Sequence, residues 1–190
     1  MPLRLLGGRF KSRLIKTPKT KKTRPTSSIL RKAVFDISQE LIEGATFLDL
    51  FAGSGAMGLE AISRGADKAT FVENDKEAIR CIYSNIETLG VEHSCEVLKL
   101  PAMLALKKLR EARKTYEIIY VDPPYDLIIE DIFRLLDDEF LLAKDGLLFL
   151  EQAATAKSLI QKTSFDYLQC KDSRKFGGTI LYQFINARSL

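Results

Sequence analysis

The sequence predicts a doubly wound α/β fold on a mainly parallel sheet, and two observations carry that expectation. From Gly44 onward, short apolar runs alternate with segments whose apolar residues recur at helical spacing. Two of those runs, Phe47-Leu48-Asp49-Leu50-Phe51 and Ile118-Ile119-Tyr120-Val121, lie about seventy residues apart, and each ends in a specialised loop. Ligands in such sheets sit beyond the carboxyl ends of the strands. Both loops should therefore open on one edge, and adjacent strand ends would put two ligands side by side.

Taken in order, residues 1–25 read as one or two short strands followed by a loop rich in Pro and Lys. Thr26, Ser27 or Ser28 can cap a helix from about 28 to 42, with Ile29, Leu30, Ala33, Val34, Ile37 and Leu41 as its apolar face. The first strand is expected at 46–51 and its helix from Ala56 to near Gly65. The second strand is expected at 68–73, with a helix from Lys76 to Leu89 closed by Gly90. A third strand at 95–100 precedes a helix near 102–113, and a fourth strand covers 116–121. Beyond it come a helix at 128–137, a fifth strand at 147–151 and a helix at 155–162. The chain closes with two strands, 165–171 and 179–186, joined near Gly177-Gly178.

The composition fits one ordinary domain: 190 residues, 46% hydrophobic and 28% charged. No apolar run nears the roughly 20 residues that span a bilayer, and no apolar segment follows the basic start as a signal peptide would require. Cys81, Cys95 and Cys170 are odd in number and widely spaced, so neither a disulfide framework nor a metal site is expected. They read as buried small hydrophobes in a cytoplasmic protein. Net charge is +4, but it is unevenly spread. Residues 1–35 hold eleven Lys or Arg and no acid, and the rest of the chain is net acidic. A basic arm on an acidic body implies a polyanionic partner. Leu3, Leu5, Leu6, Phe10, Leu14 and Ile15 interleave with these charges, which suggests packing on the body rather than free coil. The division is thus an arm and helix, 1–43, on a catalytic domain, 44–190, acting as a monomer.

The first loop, Gly53-Ser54-Gly55-Ala56-Met57-Gly58, has GxGxxG spacing between strand and helix. Glycine lets the backbone turn tightly and lets a ligand come close. Glu73, twenty residues after Gly53, can accept from both hydroxyls of a ribose, though it also reads as an ordinary strand-end acid. Asp49 suits a ligand with a positive amino group, as methionine carries, better than a pyrophosphate. Its alternative is an acceptor that braces the loop. Together these favour S-adenosylmethionine over a dinucleotide.

The second loop is Asp122-Pro123-Pro124-Tyr125. The prolines fix the chain and remove two backbone donors. The Asp122 carboxylate and the Pro123 carbonyl then present only acceptors, matched to the two N–H groups of an exocyclic amine. Held so, the nitrogen lone pair can be aimed at a methyl carbon, and Tyr125 can stack on the base for roughly 1–3 kcal/mol. The reaction expected is methyl transfer to a nucleobase nitrogen, which needs position and desolvation rather than a histidine base. His93, the only histidine, reads as a surface residue.

With these motifs in place, the chain resembles the RsmD-type guanine-N2 methyltransferases of small-subunit ribosomal RNA over nearly its whole length. The resemblance includes Arg4-Leu5-Leu6-Gly7-Gly8-Arg9-Phe10-Lys11, Thr23-Arg24-Pro25-Thr26, Gly58-Leu59-Glu60-Ala61, Phe71-Val72-Glu73, Asn85 and Lys175-Phe176-Gly177-Gly178-Thr179, besides both loops. It implies a Rossmann-like class I methyltransferase with a seven-stranded mixed sheet whose last strand runs antiparallel. It implies S-adenosylmethionine held by Asp49, Phe51, Ala52, Gly53, Ser54, Gly55, Glu73, Asn74 and Leu100. It implies Asp122, Pro123, Pro124 and Tyr125 as the catalytic loop around a guanine. Arg9, Lys11, Arg13, Arg24, Thr26 and Lys175 would contact RNA, within an assembling ribosomal subunit. One position departs from the family pattern: Pro101 stands where an Asp or Asn usually meets the adenine amine. DNA adenine-N6 methylation and nicotinamide-dependent oxidoreduction are the competing readings. The first lacks a recognition domain, and the second leaves Asp122 to Tyr125 and the arm unexplained.

Overall fold

The computed structural model describes residues 3–18, 27–124, 129–155 and 164–189. At the start, β1 (Leu3–Arg4) and β2 (Leu14–Ile15) pair antiparallel as a short ribbon, which leads toward α1 (Ser28–Ile37). Then come β3 (Thr46–Leu50), α2 (Ala56–Ser63), β4 (Lys68–Val72), α3 (Lys76–Leu89), β5 (Cys95–Leu98), α4 (Ala102–Glu111), β6 (Tyr116–Val121) and α5 (Ile129–Leu136). The chain ends in β7 (Leu142–Ala153), β8 (Leu168–Phe176) and β9 (Thr179–Asn186).

Seven strands form one sheet in the order β5-β4-β3-β6-β7-β9-β8. Neighbours from β5 to β7 run parallel, while β9 runs antiparallel between β7 and β8. Strand alternation gives each face its own core. Phe47, Phe71, Ile118, Tyr120 and Phe149 face α1, α2 and α3. Leu48, Leu50, Ile119, Leu148 and Leu150 face α4 and α5. The ribbon adds to the first core through Leu5 and Ile15, both buried, whereas Leu14 is exposed. Because β3 leads to β4 on one side and pairs with β6 on the other, the winding reverses between β3 and β6, where such folds bind ligands.

Several expected boundaries shift. The first helix ends at Ile37 rather than 42, because Ser38 closes it: its backbone N–H and its hydroxyl both bond the Val34 carbonyl. Ile42 is buried all the same, from within a turn. Ser27 is the cap, its hydroxyl accepting from the Leu30 N–H at 3.2 Å. The helix over 76–89 has the expected bounds, between an Asp75 cap and Gly90 at φ 65°. The fifth strand is longer than 147–151, running from Leu142 to Ala153 with an irregularity opposite Glu117. The next strand starts at Leu168, not 165, and reaches Phe176. The helix expected at 155–162 lies almost wholly outside the described residues. The cysteines are not buried as expected: Cys81 and Cys95 are half-buried, and Cys170 is exposed on the edge strand β8. No helix among the described residues is long and apolar enough to cross a membrane.

Candidate functional site

The two loops predicted to share an edge do so. Leu50 pairs with Val121 and with Val72, so the carboxyl ends of β4, β3 and β6 lie side by side. The Asp122 N–H points to the Leu50 carbonyl at 3.4 Å. One strand spacing, about 4.8 Å, separates the chain entering the glycine loop from the chain entering Asp122.

Each glycine of the first loop is required for a different reason. Phe51 and Ala52 both donate to the Val72 carbonyl, and Phe51 takes φ 70°, unusual for a bulky residue. Gly53 at φ 54° donates its N–H to Glu73 Oε2 at 2.8 Å, and nothing stands within 4 Å of where its Cβ would be. Open space beside a bare backbone is what a closely approaching ligand needs. Gly55, at φ 77°, caps α2. Gly58 lets a neighbour in: a Cβ there would lie 2.3 Å from the Phe71 ring. Phe71 is fully buried and cannot swing away. Gly58→Ala should therefore cost about 1–3 kcal/mol by overpacking. Denaturant unfolding at fixed m-value checks it, and an unchanged midpoint would show that the ring shifts freely.

Asp49 and Glu73 both brace this loop. Asp49 Oδ2 accepts from the Gly58 N–H at 3.0 Å, deep in the core at 2% exposure. Burial pushes its carboxyl up to about 7; the Gly58 N–H opposes the shift and the Glu73 charge adds to it. Glu73 Oε1 accepts from the Asn74 and Asp75 N–H groups at 2.8 and 2.9 Å. Its Oε2, with one bond to Gly53, keeps capacity for a ribose hydroxyl. Asn74 is exposed beside it, and Leu100 is half-buried two residues beyond the end of β5. Pro101 is exposed and starts α4, so it presents no polar side chain there. Ser54 is half-buried, its carbonyl held by the Asn85 amide.

In the second loop Asp122 and Pro123 are half-buried and Pro124 is exposed, while Tyr125 lies outside the described residues. Sequence reasoning missed Glu151. It follows Leu150, the partner of Val121, so it stands next to Asp122 on the neighbouring strand. Its carboxylate accepts from the Tyr120 hydroxyl at 2.6 Å.

Arg9, Lys11 and Arg13 are exposed on the ribbon, the Arg9 guanidinium 4.6 Å over the Phe10 ring. The ribbon docks on α2 through the Arg9 N–H to Ser63 O and the Phe10 N–H to Ser63 Oγ. Arg24 and Thr26 lie outside the described residues. Lys175 is exposed near the β8–β9 turn. Thr179 pairs with Ala153 at the carboxyl end of β7, so this turn opens on the same edge as both loops. Its β9 and β8 ends lie two and three strand spacings from β6, about 10 and 14 Å. Arg31, counted among the arm's charges, is instead buried. It donates to the Arg4 carbonyl and sits 3.8 Å from Glu60, a fully buried carboxylate that also holds the Leu6 and Gly7 N–H groups and Arg64. Glu60 and Asn85 were also missed as structural polar residues. Each is a polar side chain within an apolar helix face, which is the signal that could have found them. Among the described residues no cluster of His, Cys, Asp and Glu could hold a metal.

The family model described as conserved hypothetical protein 95 matches residues 3–185. The chain is 33% identical over 150 residues to Escherichia coli (strain K12) ribosomal RNA small subunit methyltransferase D, covering 78% of this chain and 74% of that protein. Among solved structures, the putative methyltransferase yhhF from Escherichia coli superposes with a TM-score of 0.82 at 28% identity, covering 98% of both chains. A hypothetical protein from a Thermus species superposes with a TM-score of 0.79 at 30% identity, covering 97% of this chain and 99% of that one.

Proposed function

The chain belongs to the conserved hypothetical protein 95 family, that of ribosomal RNA small subunit methyltransferase D, and we propose that it transfers a methyl group from S-adenosylmethionine to the exocyclic N2 of a guanine in small-subunit ribosomal RNA. The observation that carries this reading is the Leu50–Val121 pairing, which sets a glycine loop suited to the cofactor beside acceptors suited to an amine. In that arrangement Glu73 holds the ribose, Asp49 faces the methionine ammonium, and Phe51 to Gly55 surround the methionine end. S-adenosylmethionine supplies an electrophilic methyl on a sulfonium, already a good leaving group. The protein's task is then alignment. Asp122 and the Pro123 carbonyl hold the two amine hydrogens, and Tyr125 stacks on the base. Asp122 offers negative charge as the nitrogen becomes cationic and takes up the proton it sheds.

The target base must leave its stack, at a cost of a few kcal/mol in a duplex and less in a loop. Phosphate contacts from Arg9, Lys11, Arg13 and Arg24 offset that cost. The partner proposed is small-subunit RNA presented in an assembling particle, bound by one copy of the chain. The deciding experiment is transfer of labelled methyl to small subunits lacking the modification, followed by nucleoside analysis. N2-methylguanosine is the expected product. Methyl found only on DNA adenine, or none on RNA despite cofactor binding, overturns the substrate.

Asp49 gives this reading a pH dependence. Without cofactor its carboxyl holds a proton up to about pH 7, and a ligand ammonium favours the carboxylate. Cofactor affinity should be level above that pH and fall as much as about tenfold per unit below it. Asp49→Asn should bind more weakly and lose the slope. Titration calorimetry from about pH 5.5 to 8.5, bracketing that value, checks this, with a flat wild-type profile the contrary result. Stability of the cofactor-free fold runs the opposite way. A folded pKa raised from 3.8 to about 7 stabilises fully below the lower value and is lost as pH rises through the upper one.

A further inference from the structure

Asn85 is a polar residue in an apolar stripe. It sits on α3 among Ile82, Ile86 and Leu89, and only 1% of it is exposed. Its carboxamide is engaged at both ends. Oδ1 accepts from the Lys16 N–H at 2.8 Å, and Nδ2 donates to the Lys16 carbonyl at 2.9 Å. One side chain thus takes both backbone groups of one residue, as a neighbouring strand would. The second Nδ2 hydrogen goes to the Ser54 carbonyl at 3.0 Å. Ser54 lies between Gly53 and Gly55, both at positive φ, with no packing against the outer side of Gly53. Gly55 lies against the Phe71 and Ile82 side chains, whereas the Gly53–Ser54 side of the loop is held by hydrogen bonds to Glu73 and Asn85. Lys16 ends the basic ribbon, and its ammonium is also fixed, to Ser84 Oγ at 2.7 Å.

We propose that Asn85 is a positioning residue that couples RNA bound on the N-terminal arm to the conformation of the cofactor loop, an inference that rests on the RNA-methylation reading above. RNA contacts on the ribbon restrict the Lys16 backbone. Asn85 shares that restriction with Ser54, so the loop is partly ordered before cofactor arrives. Cofactor then binds more tightly to the RNA complex than to the free protein, and by linkage RNA binds more tightly to the cofactor complex.

The test measures S-adenosylhomocysteine affinity with and without small ribosomal subunits lacking the modification, in wild type and Asn85→Ala. Wild type should bind at least about fivefold tighter with subunits present. In Asn85→Ala that factor should fall to about one. A merely structural loss would weaken binding equally in both conditions and leave the factor intact, which overturns the proposal. Should the variant not fold, hydrogen exchange of the 53–55 amides in cofactor-free wild type decides. Slowing by subunits supports the coupling, and unchanged exchange overturns it. Wild type that methylates subunits yet shows equal affinities rejects the coupling alone. Wild type that neither binds nor methylates them rejects the RNA reading as well.

Discussion

Asp122→Ala loses methyl transfer by at least about 10²–10³-fold in kcat while S-adenosylmethionine binding stays nearly intact. The split follows from where Asp122 sits. Its backbone N–H reaches the Leu50 carbonyl, a contact that alanine keeps, so the strand end stays in place. The cofactor loop is braced through Asp49, Glu73, Val72 and Asn85. In the proposed reaction, what alanine removes is an acceptor for the amine hydrogen and a negative charge beside a nitrogen turning cationic. Both act mainly as the methyl moves, so the loss belongs in kcat. Asp122→Asn separates the two effects: it keeps an acceptor oxygen and drops the charge, and should fall between alanine and wild type. Single-turnover transfer and calorimetry on the same preparations supply the two readouts. Wild-type turnover in Asp122→Ala would sink the mechanism.

The features legible in the sequence are those fixed by short-range chemistry. The glycine spacing predicts a tight loop, and each glycine is needed locally, by positive φ at Gly53 and Gly55 and by the Phe71 ring at Gly58. The bounds of α3 are legible because Asp75 caps one end and Gly90 turns left-handed at the other. Where distant chain decides, the sequence misleads. The fifth strand is expected to begin at 147, just after Gly146, yet it runs through that glycine from Leu142: a Cβ on Gly146 would come within 2.9 Å of the Glu117 carbonyl, so this glycine permits close approach to β6. The sequence points Asp49 at the ligand, and its bond to the Gly58 N–H adds the bracing role left open as the alternative. The sum of charge over 1–35 assigns all eleven cations to a basic arm that meets a polyanion. Arg31 belongs to that sum but not to that surface, because its partner Glu60 lies on a helix that only the fold brings near.

That buried pair makes Glu60→Gln the substitution expected to cost most in stability. Glu60 is fully buried and satisfies four groups: the Leu6 and Gly7 N–H groups, Arg64 at 2.8 Å and Arg31 at 3.8 Å. Arg31 depends on it. Burial pushes the guanidinium pKa down and Glu60 pulls it back up, while Nε and Nη1 have no hydrogen-bond partner among the described residues. Glutamine keeps the shape but removes the charge and turns an N–H₂ toward donors. Breaking one side of a buried pair typically costs about 3–5 kcal/mol. At roughly 2–4 °C per kcal/mol for a chain of this size, the melting temperature should drop by about 10 °C. A second substitution identifies the cause. Adding Arg31→Met to Glu60→Gln removes the stranded cation and should recover part of the loss, since an apolar residue of similar volume tolerates the site. If the double variant melts lower than Glu60→Gln alone, the cost lies in the lost bonds to Leu6 and Gly7. Glu60 would then act chiefly as the dock for the ribbon. A melting temperature unchanged in Glu60→Gln would mean that neither holds.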